Sequence, residues 1–565
     1  MELRHRLLQS LFIGWFLILL LRLGYWQIVK AGELRELAVT QYGTSTSIYA
    51  PRGEIRFSDG YPMVINSESY LGFIEPGKLG LNAEQKDQLI GLLPASESAK
   101  KILDLASVTH LSWLPLAHQI PPKVKAQIEQ MKISGLGFEF EPSRNYLSGS
   151  SSAYITGFIG KNQSGESEGY FGLEGYYNRT LTGKPGKVIE DRDALGRPIV
   201  ISQHRIIQPQ PGKNLVTSID RTVQYYAFQK LKEGLDKYKA KAGSVAIMET
   251  KTGKILAMVS LPAYDPVSFS DFDRELFKNP IVSEGYEPGS TFKAIVMASA
   301  LDAKVVAPDS VCTICGGPQT ISGETIKNWN DQYHANSSMT DVILHSDNIG
   351  MVFVSRQLGK TKMLEYIRKF GFGNPTGIDI QEESTPTLRP DNQWEDIDWA
   401  TAAFGQGIAV TRIQMLAGVN AIANGGILVP PRVVEKIQSG KDEKNLPVPD
   451  SQRIISRPAA IAMTNMMING VEKGEVRYYR VPGYVVAGKT GTAQVPIAGH
   501  YDETKVIASF VGFAPALDPI FTMIVTLREP QTSPWGSTTA APLWFSIAEK
   551  LFRYYQIPPK ARAGL

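Results

Sequence analysis

Residues 286–301 read YEPGSTFKAIVMASAL, and the rest of the chain is best read outward from this stretch. Glu-Pro-Gly interrupts any preceding element, and the apolar run after it has the continuity of a buried helix. Ser290 therefore opens the helix, and Lys293 lies one turn along on the same face. A serine hydroxyl is a poor nucleophile until a base takes its proton, which a lysine can do only when its amine is neutral. Burial and a second nearby cation both push a lysine toward that state.

Three short signatures each occur twice. S-x-x-K is found at Ser98–Lys101 and Ser290–Lys293, S-x-N at Ser143–Asn145 and Ser346–Asn348, and K-T-G at Lys251–Gly253 and Lys489–Gly491. Context separates the copies. Ser98 lies in the polar run ASESAKK, a solvated helix end, and Lys251-Thr252-Gly253 joins two apolar runs as turn chemistry. Lys489 instead follows Tyr-Val-Val-Ala-Gly on an expected strand. In the later set Lys489 supplies the second cation, Ser346 relays a proton, and Asn348 donates to and accepts from an amide. Thr490, Gly491 and Thr492 are the expected substrate-binding residues, with Gly491 leaving room for a substrate backbone along the strand. The N–H groups of Ser290 and Thr492 would form an oxyanion hole. The bland alternative is a helix-capping Ser290, a surface turn at Ser346-Asp347-Asn348 and a strand-end Lys489. The order and context of all three favour the chemical reading.

On these residues the chain resembles a class B penicillin-binding protein, a membrane-anchored peptidoglycan D,D-transpeptidase, for which S-x-x-K, S-D-N and K-T-G are an established signature. YEPGSTFK (286–293), SDNIGM (346–351), FGFGNPTGID (370–379), FGQGIAVT (404–411), GKTGTAQ (488–494) and SFVGFAP (509–515) resemble family blocks in family order. Upstream, APRGEI (50–55), GLE (172–174) and LTGKPG (181–186) resemble the family's non-catalytic pedestal, so nearly the whole chain is covered. Phe57-Ser58 stands where the family usually has Asp-Arg, and contacts made by that pair are not carried over. The resemblance implies an α+β transpeptidase fold, an antiparallel sheet flanked by helices, on a strand-rich pedestal. It also implies attack by Ser290 on the D-Ala-D-Ala amide of a stem peptide, acylation of Ser290 by β-lactams, no cofactor, and a SEDS-type glycosyltransferase as partner. SDNIGM and SFVGFAP look closer to division-type than to elongation-type members.

The 565 residues leave room for several compact units. Lys+Arg 59 against Asp+Glu 55 is too balanced and too dispersed for a nucleic-acid footprint. Two cysteines exclude a disulfide-built scaffold. The apolar run Leu7–Leu21 spans about 22 Å as a helix, short of a ~30 Å hydrocarbon core, but reaches across it if extended to Val29 with Arg22 snorkelling. Residues 7–29 are thus read as an uncleaved anchor, with a cleaved signal peptide as the rival. The N-terminus is expected to be cytoplasmic and the body exported, at the cell membrane. The expected divisions are 1–30 (tail and anchor), 31–210 (pedestal) and 211–565 (transpeptidase). The pedestal alternates short β-rich runs, among them 188–201, with one helical stretch near 83–106. Downstream, a hairpin at 244–260, helices near 221–239, 291–303, 339–358, 361–370, 411–423 and 457–470, late strands and a final helix at 541–555 suggest α+β layering.

Rival signatures exist. GYVVAGKT (483–490) matches the P-loop pattern, yet its inner residues are strand formers and no helical period follows. GESEG (165–169) matches a nucleophile elbow but lies in a polar loop. Cys312 and Cys315, with His334 downstream, leave a metal site, a local disulfide and two free thiols all open, and no metal is assigned. His345 is read as a packing residue. Two functional alternatives also remain: a β-lactam-hydrolysing or sensing protein that keeps the serine site, and a non-catalytic scaffold.

Overall fold

The computed structural model describes residues 2–34, 43–94, 96–107, 109, 111–191, 205–497 and 500–559. Contacts divide the chain into two compact units, Met1–Gly53 with Thr182–Lys213, and Glu54–Leu181 with Asn214–Leu565.

The first unit begins with the helix Glu2–Gly24, which widens into a π-helical turn over Tyr25–Val29. This 28-residue run is long and apolar enough to cross a membrane, about 40 Å at 1.5 Å per residue, and none of its spanning window is buried. The unit also holds a three-stranded antiparallel sheet, Gly43–Ile48, Gly186–Asp191 and Arg205–Ile207 in spatial order. The β-rich run expected over 188–201 is strand as far as Asp191, and 192–201 lie outside the described residues.

The second unit carries, in chain order, helix α1 (Arg221–Tyr238), strands β1 (Ala242–Glu249) and β2 (Ile255–Leu261), then helices α2 (Lys293–Asp302), α3 (Met339–Leu344), α4 (Asn348–Leu358), α5 (Arg412–Ala423) and α6 (Arg457–Lys473). Strands β3 (Ala487–Ile497), β4 (His500–Ala514) and β5 (Phe521–Arg528) and helix α7 (Ala540–Tyr554) follow. The five strands form an antiparallel sheet in the order β2-β1-β5-β4-β3. Alternation along β1 explains the layers: Val245 and Ile247 join the core under α1 and α7, while Ala246 and Met248 join the core under α2, α4 and α5. Helix α2 is buried from Lys293 to Leu301, as an all-round apolar helix must be, and Lys293 is carried into the core with it.

A six-stranded sheet in the same unit runs in the order Asp442–Asn445, Val434–Ser439, Asn214–Thr217, Ile55–Arg56, Pro62–Ser67, Ser143–Tyr146. Phe57, at the position where the family has a charged pair, is buried in the main core. A separate small core lies over the sheet of Tyr70–Ile74, Leu114–Ile120 and Leu136–Phe140.

Two helices expected as continuous are broken. The stretch 83–106 forms Ala83–Leu92 and Ser96–Ala106, because Pro94 ends the first and holds Leu93 extended. The stretch 339–358 breaks into α3 and α4, where Ser346 takes φ +53°. Sequence reading missed the helix Asp396–Ala402.

The GLE segment contributes a buried ion pair: Arg144 Nε donates to Glu174 Oε1 at 2.8 Å, and Arg144 Nη1 donates to Asn66 Oδ1 at 2.9 Å. Removing one partner of such a pair strands a buried charge. Arg144→Ala should therefore cost about 3–5 kcal/mol in a denaturant melt, whereas Lys78→Ala, which breaks the exposed Lys78–Glu75 pair, should cost less than about 1 kcal/mol.

Candidate active site

Ser290 sits on a tight 3₁₀ turn, Gly289–Phe292, that runs directly into α2 and leaves Lys293 one turn further on. The turn is held from both ends. Gly289 N–H donates to Gly405 O at 3.0 Å, Thr291 Oγ1 donates to Pro288 O at 2.7 Å, and Gly407 N–H donates to Glu287 Oε1 at 3.0 Å. Gly405 has φ +83°, and a Cβ there would lie 2.1 Å from Gly289 O, so this contact requires glycine.

Lys293 Nζ donates to Asn348 Oδ1 at 2.8 Å and to the Ser346 carbonyl oxygen, and lies 3.2 Å from Ser346 Oγ. From β3, Lys489 Nζ donates to the same Ser346 Oγ at 3.0 Å and to Thr490 O at 3.2 Å. One hydroxyl thus stands between two lysine amines, both buried. Burial, and after it the charge of Lys489, hold Lys293 well below the ordinary lysine range, against the opposing pull of the Asp347 carboxylate. Burial pushes Lys489 down to about 8, opposed by Glu475.

Ser346 occupies the break between α3 and α4. Asp347 caps α4 by accepting the Gly350 N–H at 2.8 Å. Asn328 Oδ1 accepts from the N–H groups of Asn348 at 2.8 Å and Ile349 at 3.3 Å, and Asn348 Nδ2 donates to Lys327 O at 2.9 Å. The loop carrying Asn328 therefore fixes the S-D-N turn.

Ser290, Ser346, Lys489, Thr490, Gly491 and Thr492 line one cleft of about 340 Å³. All eight residues singled out as catalytic or substrate-binding are thus brought together, with Lys293 fully buried behind the cleft surface. Glycine at 491 also meets a need inside the protein itself. A Cβ there would meet Ser509 Oγ at 2.4 Å, Thr291 Cγ2 at 2.9 Å and Pro288 O at 3.0 Å. The absent side chain admits the protein's own serine-bearing loop.

The other copies of the signatures lie elsewhere. Ser98 is on the helix Ser96–Ala106, Ser143–Asn145 on a strand, and Lys251 in the β1–β2 turn, paired with Asp518 at 3.1 Å. The P-loop candidate continues into β3 rather than a helix, and Ser167 opens the strand Ser167–Tyr170. Cys312 and Cys315 form a disulfide, so neither thiolate is free to bind a metal, and His334 packs its ring on His345 at 4.6 Å. Among the described residues no group of three His, Cys, Asp or Glu is placed to hold a metal. Sequence reasoning missed Asn328, Glu475, Trp329 and Trp535, the last three lining the cleft. All four lie well outside the quoted signature blocks, so no local pattern marks them.

Comparison with known proteins covers most of the chain. The model of the penicillin binding protein transpeptidase domain matches residues 243–552, and that of the penicillin-binding protein dimerisation domain matches residues 47–217. The chain belongs to the penicillin-binding protein family. It is 32% identical over 550 residues to stage V sporulation protein D of Bacillus subtilis, covering 96% of this chain and 84% of that protein. It is 28% identical over 552 residues to the peptidoglycan D,D-transpeptidase FtsI of Escherichia coli, covering 94% and 88%. The crystal structure of penicillin binding protein 3 from Mycobacterium tuberculosis, complexed with aztreonam, shares the fold with a TM-score of 0.69 at 24% identity, covering 91% of this chain and 98% of that one.

The packing at Gly491 gives a sharp test. Gly491→Ala should force the serine-bearing loop off β3, destabilise the protein by roughly 1–3 kcal/mol and slow acylation by a fluorescent penicillin at least about tenfold. Unchanged acylation would show that the contact is dispensable.

Proposed function

We propose that this protein is a serine acyltransferase that cross-links peptidoglycan stem peptides, with Ser290 as its nucleophile. The observation that carries the proposal is the Ser346 hydroxyl shared by two buried lysine amines, one of which, Lys293, lies one helical turn from Ser290. Support comes also from the Escherichia coli relative, named a peptidoglycan D,D-transpeptidase, and from the aztreonam complex of the structural neighbour.

In the proposed reaction Ser290 Oγ attacks the carbonyl carbon of the penultimate D-Ala, and its proton passes to neutral Lys293. The N–H groups of Ser290 and Thr492 receive the oxyanion. Collapse breaks the C–N bond, and Ser346 passes a proton to the departing D-Ala amine while taking one from Lys293. An amine on a neighbouring stem then attacks the Ser290 ester, its proton returns along the same chain, and Ser290 recovers its hydroxyl. One amide is broken and one is made, so no ATP is consumed. Charged Lys489, with Thr490 and Thr492, holds the substrate carboxylate, Gly491 keeps β3 close to the serine loop, and Asn348 orients Lys293.

The same proposal assigns residues 1–30 to tail and anchor, 31–210 to a pedestal and 211–565 to the transpeptidase, with the N-terminus cytoplasmic. A SEDS-type glycosyltransferase as partner and a division-type role complete it, the latter supported by SDNIGM and SFVGFAP.

Labelling with a fluorescent penicillin should disappear in Ser290→Ala and persist in Ser98→Ala; retained labelling in Ser290→Ala would sink the assignment. Product analysis with lipid-linked precursor should show cross-linked dimers, and free tetrapeptide alone would indicate a hydrolase. The two lysines also set a pH profile. Lys293 acts as base only when neutral, so acylation rises as it loses its proton below the ordinary lysine range. Lys489 acts only when charged, so the rate should fall above about pH 8, where it titrates. A profile still rising at pH 10 would contradict these roles.

A further inference from the structure

A cavity of about 620 Å³ opens where the start of β1 and the ends of β2 and β5 meet the short helix Pro280–Ser283. It shares no lining residue with the cleft that holds Ser290, and its size is that of a small-molecule site. Tyr154, Leu261, Pro262 and Leu276 supply apolar lining. Arg412 is the buried charge among them. It opens α5, where the positive end of the helix disfavours a cation, and is only 3% exposed. Its Nε donates to Thr526 Oγ1 at 3.0 Å, and its Nη1 to Pro280 O at 3.0 Å and Glu284 Oε2 at 2.9 Å, while Nη2 makes no hydrogen bond within the protein. Arg528 Nη1 donates to the other oxygen of Glu284 at 3.3 Å, and Arg528 Nε is buried without a hydrogen bond, 3.5 Å from Glu529 Oε1. Lys241 stands 3.8 Å from the same Glu529. Three cations thus share two carboxylates here, and Lys278, Asp273 and Glu275 complete the charged lining.

The same arginine touches the approach to Ser290. Its guanidinium carbon lies 5.0 Å from the centroid of the Tyr286 ring, and Gly285–Tyr286 pairs with Val410–Thr411, the two residues that lead into α5. Ser290 follows four residues after Tyr286, on the turn tied to Gly405. We propose that this cavity is an effector site for a small organic anion, an apolar body bearing one carboxylate, whose occupancy slows acylation at Ser290. The carboxylate accepts from Arg412 Nη2 and Arg528 Nε, the donors the protein leaves unmatched, and the apolar body covers Leu261 and Leu276. Sharing the two arginines weakens their hold on Glu284, and that slack passes through Gly285–Tyr286 to the serine turn. Binding rests on the cavity alone, whereas the slowing rests on the reading of Ser290 as nucleophile.

The test titrates the full-length protein in detergent with 1-naphthylacetate and with its uncharged analogue 1-naphthylacetamide, by calorimetry against a blank of the same micelles. The acetate should bind at least about tenfold more tightly than the amide, and Arg528→Gln should remove most of that difference. Leu276→Trp, which fills the cavity from a half-buried position, should abolish binding of both probes while keeping the wild-type thermal melt. Saturating acetate should slow labelling by a fluorescent penicillin about fivefold in the wild type and leave Leu276→Trp unaffected. Absent binding, equal binding of the two probes, or an unchanged difference between them in Arg528→Gln overturns the site. Unslowed labelling with the acetate bound, or slowing that persists in Leu276→Trp, overturns the coupling. Ser290→Ala should bind the acetate as the wild type does, so labelling that survives in that variant overturns the nucleophile assignment and leaves the binding result standing.

Discussion

The site depends on keeping two lysine amines within reach of one serine hydroxyl inside the protein. With Ser346 Oγ 3.2 Å from Lys293 Nζ and 3.0 Å from Lys489 Nζ, the nitrogens lie within about 6 Å of each other. Two charges at that distance repel by on the order of 3 kcal/mol at an effective dielectric near 20. Desolvation adds to the penalty, so the arrangement favours one neutral and one charged amine. The Asp347 carboxylate, buried beside them, works against Lys293 losing its proton, and Glu475 works against Lys489 losing its own. The pair is thereby poised between states. A hydroxyl between a donor cation and a neutral base is the geometry a proton relay needs.

Much of the surrounding structure follows from holding that arrangement. Lys293 is buried because α2 is apolar on every side, and a lysine in that helix has no route to solvent. Ser346 reaches Lys489 because the helix breaks at a residue with positive φ, an uncommon conformation for serine that the caps on both sides sustain. At the end of α3 the N–H groups of His345, Ser346 and Asp347 donate to Asp341 O, Ile343 O and Val342 O, Asp347 caps α4, and Asn328 covers two further N–H groups, so the break leaves few backbone donors unsatisfied. On the opposite wall, the Pro288 and Thr291 loop can approach β3 only because residue 491 has no side chain.

What could be read from the sequence divides along the same lines. Ser290 and Lys293 were legible because their spacing places them on one face of one helix, and the sheet strands because, buried on both faces, they read as short continuous apolar runs between turn residues. The break at 345–347 was not legible: apolar periodicity runs through it, and the cost of a positive φ at Ser346 is met by side chains whose partners come from other segments. Pro94 was a visible signal that the reading of 83–106 passed over. Asn328, Trp329 and Trp535 look like ordinary loop residues until folding brings segments some 20 to 200 positions apart onto one cleft. The strand Asn214–Thr217 pairs with Ile55–Arg56 and with Val434–Ser439, pairings no local pattern encodes.

The position of β3 links architecture to chemistry. Among the described residues it is the outer strand of its sheet, paired on one side with β4, so part of its backbone hydrogen-bonding capacity faces away from the sheet. An exposed edge of this kind invites pairing with another extended chain and is ordinarily a hazard. Here the serine-bearing loop lies against Gly491, and Gly536 packs on the carbonyl of the same residue, which confines access to the edge. The register slips between Gln494 and Val495, and regular pairing with β4 resumes from Val495 to Ile497. The outer edge carries Lys489. An extended peptide carrying a carboxylate meets complementary main-chain groups and a cation together there, whereas an unrelated strand gains only a few hydrogen bonds. In the proposed reaction that difference holds a scissile amide over Ser290 long enough for one acyl group to pass from peptide to serine and on to a second peptide.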